Sequence, residues 1–251
     1  MAVLRTEKLV KSYGKRTVVD QVSLHVETGE VVGLLGPNGA GKTQTFRMTV
    51  GLVAPNEGEV LVDEDEITSL PMYQRARKGI AYLPQEPSVF RKLTVGGNLL
   101  GVLETQDMTK AGRREAKDQL LEEFGLTRLE HSMAYTLSGG EQRRTEIART
   151  LAIAPSFILL DEPFAGIDPK TIRDIQGVIE QLRARGLGII ITDHNAAETL
   201  EIADRAYLLV DGKILMHGTP GELTKSELAR RYYFGDAPGP RARGAHVAEA
   251  Q

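Results

Sequence analysis

"EVVGLLGPNGAGKT", residues 30–43, decides the fold. An apolar run ends in a glycine-rich turn, and a helical pattern, "KTQTFRMTVGLV", begins at Lys42. Gly36 to Thr43 satisfy G-x-x-x-x-G-K-[ST] in full. Gly36, Gly39 and Gly41 let backbone N–H groups turn inward around a phosphate chain, with Pro37, Asn38 and Ala40 completing the loop. Lys42 brings an ammonium to the β- and γ-phosphates, and Thr43 offers a hydroxyl to Mg²⁺. Strand, glycine loop and helix in this order are the setting such a loop needs.

Reading outward, "VLRTEKLV" and "VVDQVSLHV" before the loop are strands. After it come "GEVLVDEDEI" at 58–67 and "GIAYLPQE" at 79–86, the second leading into a proline-marked loop. From 94 to about 153 the spacing turns helical, which marks an insertion. "FILLDEP" at 157–163 and "LGIIITDH" are buried strands, and "DIQGVIEQLRARG" is a helix. "RAYLLVDGKILMHG" is a hairpin turning at Asp211-Gly212. Continuous apolar strands alternating with helices predict a largely parallel α/β sheet covered on both faces.

Composition narrows the class. The 251 residues are 41% hydrophobic and 26% charged, enough for a sizeable core. A net charge of −3 shows no basic excess, so no nucleic-acid partner is expected. The absence of cysteine excludes disulfides and thiolate metal sites and fits the cytoplasm. "MAVLRTEKLVKSYGKR" has charges where a signal peptide would be apolar. No apolar run approaches the roughly 18 residues of a membrane span. Work at a membrane would therefore need another chain as anchor.

Three further strand ends carry chemistry. Asp161 and Glu162 close "ILLDEP", at the edge where α/β sheets bind ligands. Asp161 would hold Mg²⁺, and Glu162 would act as general base on the attacking water. His194 ends another buried strand and could reach the γ-phosphate and that water. Gln85 follows a third strand and offers a neutral amide to Mg²⁺ or water. Tyr13 could stack its ring on a base.

"LSGGEQRRTEIART", residues 137–150, is a second anion cap, formed by Ser138, Gly139 and Gly140 with Glu141 behind them. One nucleotide already fills the loop at 36–43. A two-fold dimer uses both caps, each closing the other subunit's site over ATP.

Tyr13, the loop 36–43, Gln85, "LSGGE" at 137–141, "ILLDEP" at 158–163, "GIDP" at 166–169 and His194 stand in the order found in ABC-transporter ATPase subunits. The chain resembles that family over roughly residues 3–235. The resemblance implies an α/β fold with a RecA-like P-loop core and mostly parallel sheet, an N-terminal antiparallel β subdomain and an inserted helical subdomain. It implies one domain over 1–239, with the core at 1–88 and 155–239 and the helices at about 89–154. The tail 240–251, rich in Pro, Gly, Ala and Arg, reads as disordered.

The resemblance also implies ATP and Mg²⁺ as cofactors, an adenine stack for Tyr13, a loop around Asp168 that contacts the dimer partner, and Gln85 coupling the site to an integral membrane subunit. That subunit would dock near "PSVFRKLTV", 87–95, with Phe90 and Arg91 as its contacts. The chain would sit on the cytoplasmic face of the inner membrane through such partners.

"YLPQEPSVFRKLTV", "DEPFAGIDPKTIRDIQ", "ITDHNAAETLEIADRAYLL" and "ARRYYFGD" resemble the branch that powers lipopolysaccharide export. Branched-chain amino-acid importers share similar "DEP" and "TDH" segments. A soluble, non-transport ABC ATPase is the reading from another class. Four positions depart from the family pattern. Gln44 stands where a second threonine is usual, Gly96-Gly97 replaces a common acidic pair, and Thr145 replaces an apolar residue. The first should alter nucleotide affinity, and the glycines should weaken the start of their helix.

Overall fold

The computed structural model describes residues 1–234; the end of the expected domain, 235–239, and the tail expected at 240–251 lie outside them. The chain starts as two long strands, β1 (Val3–Tyr13) and β2 (Arg16–Glu27), antiparallel in a register running from Val3 opposite Glu27 to Tyr13 opposite Arg16. Alternation puts Val22, Leu24 and Val26 of β2 on the buried face, and the irregularity at Gln21, φ 53°, brings Val19 to the same side. β3 (Val31–Leu35) is buried throughout, and α1 (Lys42–Thr49) follows the glycine loop. β4 (Glu57–Val62) and β5 (Asp65–Glu66) complete an antiparallel sheet in the order β2-β1-β4-β5.

A short α2 (Met72–Arg77) leads to β6 (Ile80–Leu83). The insertion then supplies α3 (Val95–Leu103), α4 (Lys110–Glu123) and α5 (Gly139–Leu151). The chain returns through β7 (Phe157–Asp161), α6 (Pro169–Ala184), β8 (Gly188–Thr192) and α7 (Ala196–Ile202). β9 (Arg205–Val210) and β10 (Lys213–Gly218) form the hairpin, with Asp211 and Gly212 both at positive φ, 47° and 79°. α8 (Pro220–Lys225), α9 (Glu227–Ala229) and a π-helical turn at Arg230–Phe234 follow.

The central sheet has the order β10-β9-β3-β8-β7-β6, parallel throughout except for β10. Its two faces have separate cores. On one, Val95, Leu99, Leu121 and Phe124 of the helical insertion and Ile172, Ile175 and Ile179 of α6 cover Ile158, Leu160 and Ile191. On the other, Phe46 and Met48 of α1 pack with Val19 and Val26 of β2 against Leu34, Leu159 and Ile190. Each such side chain withdrawn from water contributes roughly 1.5–3 kcal/mol before ordering costs.

α6 shows how sequence makes such an element. Ile172, Ile175, Ile179 and Leu182 recur at helical spacing, Pro169 opens the helix, and the Asp168 carboxylate accepts from the Lys170 and Thr171 amides at 3.0 and 3.1 Å. The helix thus begins at Pro169, ahead of the "DIQ" at which the spacing predicts its start. The sequence pattern does not predict α2, α7 and α8. Each is 6 or 7 residues long, too short for periodicity to register. α8 had a readable signal in its capping box, Thr219 with Glu222.

The two glycines expected to weaken the start of α3 come with a cap and a close packing contact. Thr94 caps it, accepting from the Gly97 amide at 2.9 Å. A Cβ on Gly96 would lie 3.0 Å from Glu130 Cγ, so a glycine lets α3 approach the loop that follows α4. Glu130 is in turn held by the ammonium of Lys117.

Candidate phosphate-binding site

Strand order assembles the site. β3, β8, β7 and β6 are neighbours and parallel, so their C-terminal ends share one edge of the sheet. That edge delivers the Gly36–Thr43 loop from β3, His194 from β8, Asp161 and Glu162 from β7 and Gln85 from β6, in spatial sequence. No two of these segments adjoin in the chain.

The loop is closely packed. Gly36 has φ 152°, and a Cβ there would lie 2.1 Å from the Leu209 carbonyl oxygen. Lys42 is buried, and its ammonium donates to the carbonyls of Gly36 at 2.6 Å and Pro37 at 3.1 Å. Burial lowers its pKa, opposed by the carboxylates of Glu162, Asp161 and Asp193. A cleft of about 270 Å³ is lined by Asn38, Gly39, Ala40, Gly41, Thr43 and Glu162, among others. Arg16 also lines it and had no motif to announce it.

Thr43 and Asp161 meet, hydroxyl to carboxylate, at 3.3 Å. The other oxygen of Asp161 accepts from the Tyr82 hydroxyl at 3.0 Å. Burial raises the Asp161 carboxyl above the usual carboxylate range, and the hydrogen bonds from Tyr82 and Thr43 counter only part of this. Gln85 Nε2 donates to Glu162 Oε2 at 2.7 Å, and His194 Nδ1 lies 3.6 Å from the same oxygen. Glu162 sits at φ 47°, a strained setting for a side chain with a Cβ. Its amide donates to Thr192 O at 2.7 Å, and Arg143 donates to its carbonyl at 3.4 Å and to that of Asp161 at 3.3 Å.

The donor set suits Mg²⁺. Thr43 hydroxyl, Asp161 carboxylate and the Gln85 amide are hard oxygen ligands.

Tyr13 is half-exposed, and its hydroxyl donates to Gln44 Oε1 at 3.1 Å, tying a ring able to stack on a base to the phosphate loop. Ser138, Gly139, Gly140, Glu141 and Asp168 do not line the phosphate-loop cleft. Ser138 caps α5 in a complete capping box with Glu141, whose carboxyl the Ser138 hydrogen bonds hold below its usual range. A second cleft, of about 220 Å³, runs from Gly139 and Arg143 on α5 to Gln85, Glu162 and Ile167. Glu162 therefore borders both clefts. Thr145 is buried mid-helix with its hydroxyl on the Glu141 carbonyl at 2.8 Å, which makes the threonine tolerable there.

Phe90 is half-exposed, with the Arg149 guanidinium 4.8 Å from its ring centroid. Its backbone is pinned by buried Asn98, which accepts from the Phe90 amide at 2.8 Å. Arg91 is exposed beside it. An apolar cleft of about 310 Å³ joins Phe90 to Met72, Ile80, Val102 and Ile153. Sequence reading missed Tyr82, Arg143 and Arg149, because each acts through a partner distant in the chain, and Asn98, whose link to nearby Phe90 follows no motif.

Residues 19–165 match the model of a family described as ABC transporter. The chain is 55% identical over 234 residues to the lipopolysaccharide export system ATP-binding protein LptB of Acidithiobacillus ferridurans, covering 93% of this chain and 97% of that one. It is 53% identical over 237 residues to LptB of Escherichia coli strain K12, covering 94% and 98%. Among solved structures, the ADP conformation of an ATP-binding cassette of an ABC transporter superposes with TM-score 0.84 at 29% identity, covering 94% and 100%. A dimeric post-hydrolysis cassette bound to ADP and Pi gives 0.77 at 26%, covering 86% and 98%. Among the described residues, no helix is long and apolar enough to cross a membrane.

Proposed function

We propose that this chain, which belongs to the ABC transporter family, is the ATP-hydrolysing motor of a transporter that exports lipopolysaccharide. The observation that carries the ATPase reading is the shared sheet edge where Lys42, Thr43, Asp161, Glu162, Gln85 and His194 converge. The cargo follows from likeness to the export relatives over nearly the whole length of each chain.

In this reading the loop amides and Lys42 bind the β- and γ-phosphates, and Tyr13 stacks on the adenine. Thr43, Asp161 and Gln85 would hold Mg²⁺, which when bound supplies charge neutralisation at the phosphates. Glu162 takes the proton of the attacking water as it adds to the γ-phosphorus, and the bond to the bridging oxygen of ADP breaks. His194 orients the γ-phosphate and that water. Gln85, seated on Glu162, reports phosphate occupancy to the loop leading to Phe90.

Ser138, Gly139, Gly140, Glu141 and Asp168 act on the nucleotide of a second copy. That none of them lines the chain's own phosphate-loop cleft favours this, as does the dimeric state of a solved cassette bound to ADP and Pi. The described part of the core expected at 1–88 and 155–239 acts as one body, with 89–154 as the lever that receives an integral membrane subunit at Phe90 and Arg91. That subunit holds the chain at the cytoplasmic face of the inner membrane.

The test is a pull-down of the tagged chain from detergent-solubilised membranes of its own organism. Co-purifying six-helix membrane proteins that carry a periplasmic β-jellyroll support lipid export. Paired permeases with a second ATPase would replace the cargo with amino acids.

A further inference from the structure

The last described residues return to the site. Tyr233 and Phe234, in the π-helical turn, pack against Leu35, Leu200, Leu208 and Leu223, with their own ring centroids 5.3 Å apart. Leu35 immediately precedes Gly36 of the phosphate loop, and Leu200 lies on α7, the helix that follows His194. The Tyr233 ring is thus anchored to the elements carrying both loops.

Its hydroxyl donates to the backbone carbonyls of Asp193 at 3.3 Å and of His194 at 3.4 Å. One O–H shared between consecutive carbonyls holds the peptide of the histidine, not its ring. Another anchor comes from Asp193, fully buried, whose carboxylate accepts from the Phe164 amide at 3.1 Å and the Asn195 amide at 2.9 Å. The imidazole is left exposed, its Nδ1 within 3.6 Å of Glu162 and 3.5 Å of Asp193.

We propose that Tyr233 is a positioning residue for His194, its hydroxyl fixing the 193–194 backbone so that the imidazole meets Glu162 at the γ-phosphate. The proposal rests on the ATPase reading above. Burial pushes the phenol up to about 12, the charges of Asp193 and Glu162 adding to the effect and the Gly36 backbone opposing it. Tyr233 therefore stays protonated, and a donor, throughout the working pH range.

Tyr233→Phe keeps the ring and its packing and removes only the O–H. In steady-state assays of the full chain, kcat for ATP hydrolysis is expected to fall about five- to tenfold, with KM for ATP and Tm unchanged. In a His194→Ala background, single-turnover rates should show no further loss from the same change. A Phe variant within twofold of the parent kcat overturns the proposal, as does an equal loss in the His194→Ala background. A lowered Tm with kcat restored on cooling would reduce Tyr233 to a folding role and overturn it too. A parent that does not hydrolyse ATP would overturn the ATPase reading itself, whereas an active parent with an unaffected Phe variant defeats this proposal alone.

Discussion

Gln85 donates its side-chain amide to Glu162 Oε2 at 2.7 Å, from the end of one strand to the end of its parallel neighbour. The side chain proposed as a metal ligand thus also holds the carboxylate proposed as general base. His194 Nδ1, 3.6 Å from the same oxygen, approaches it too.

Replacing Glu162 with Gln keeps a hydrogen-bonding partner for Gln85 but removes the base. Hydrolysis should drop at least about 100-fold while ATP still binds. ATP should then accumulate a dimer, seen by light scattering on a sizing column. A variant that stays monomeric at saturating ATP would refute the two-copy site.

Ser138→Arg places a charged side chain at the α5 cap without touching the chain's own phosphate loop. Hydrolysis should vanish, and single-site nucleotide affinity by calorimetry should stay within about twofold. Loss of binding itself would mean that the cap serves its own subunit.

Tyr13 and Gln44 should act as a pair. Gln44→Ala frees the Tyr13 ring and is expected to weaken ATP binding about three- to tenfold, the range of one hydrogen bond. Tyr13→Phe in that background should add little, since the bond is already gone. Titration calorimetry on the four chains decides. Additive losses would show that the 3.1 Å contact does not organise the base platform.

Asp161, proposed above to hold Mg²⁺, is expected to cost the fold stability when ionised. Its carboxyl is raised by burial, so the protonated form prefers the fold. That contribution is complete below the ordinary carboxylate range and is lost as pH rises through the raised value. At pH 8 without nucleotide, Asp161→Asn should therefore raise Tm by about 2–4 °C. The gap should close on acidification, and stabilisation by Mg²⁺ with ATP should disappear. A lower Tm at pH 8 would mean that the Thr43 and Tyr82 hydrogen bonds outweigh burial.

Arg75 is almost wholly buried and donates to the carbonyls of Leu70, Met48, Thr49 and Thr68, closing the end of α1. Burial lowers its pKa to about 10. Arg75→Met strands those oxygens and should cost roughly 3 kcal/mol, about 6–12 °C in Tm by scanning calorimetry. A loss below about 1 kcal/mol would show that water replaces the guanidinium.

Local chemistry was legible in the residues themselves. The phosphate loop at 36–43, the α5 cap at Ser138, the acidic strand end at 161–162 and the Asp211-Gly212 turn each depend on a few adjacent residues whose backbone preferences are intrinsic. Periodicity exposed the long helices for the same reason and passed over α2, α7 and α8, which are less than or about two turns.

Tertiary structure alone decided adjacency. Thr43 and Asp161 are 118 positions apart, Gln85 and Glu162 77, and they meet because β8 inserts between β3 and β7 while β6 pairs with β7. Tyr233 reaches the backbone of His194 across 39 positions. Pattern along a chain reports how each segment shields its own apolar face; which segments then lie side by side is settled by packing and register between strands, and these have no local signature.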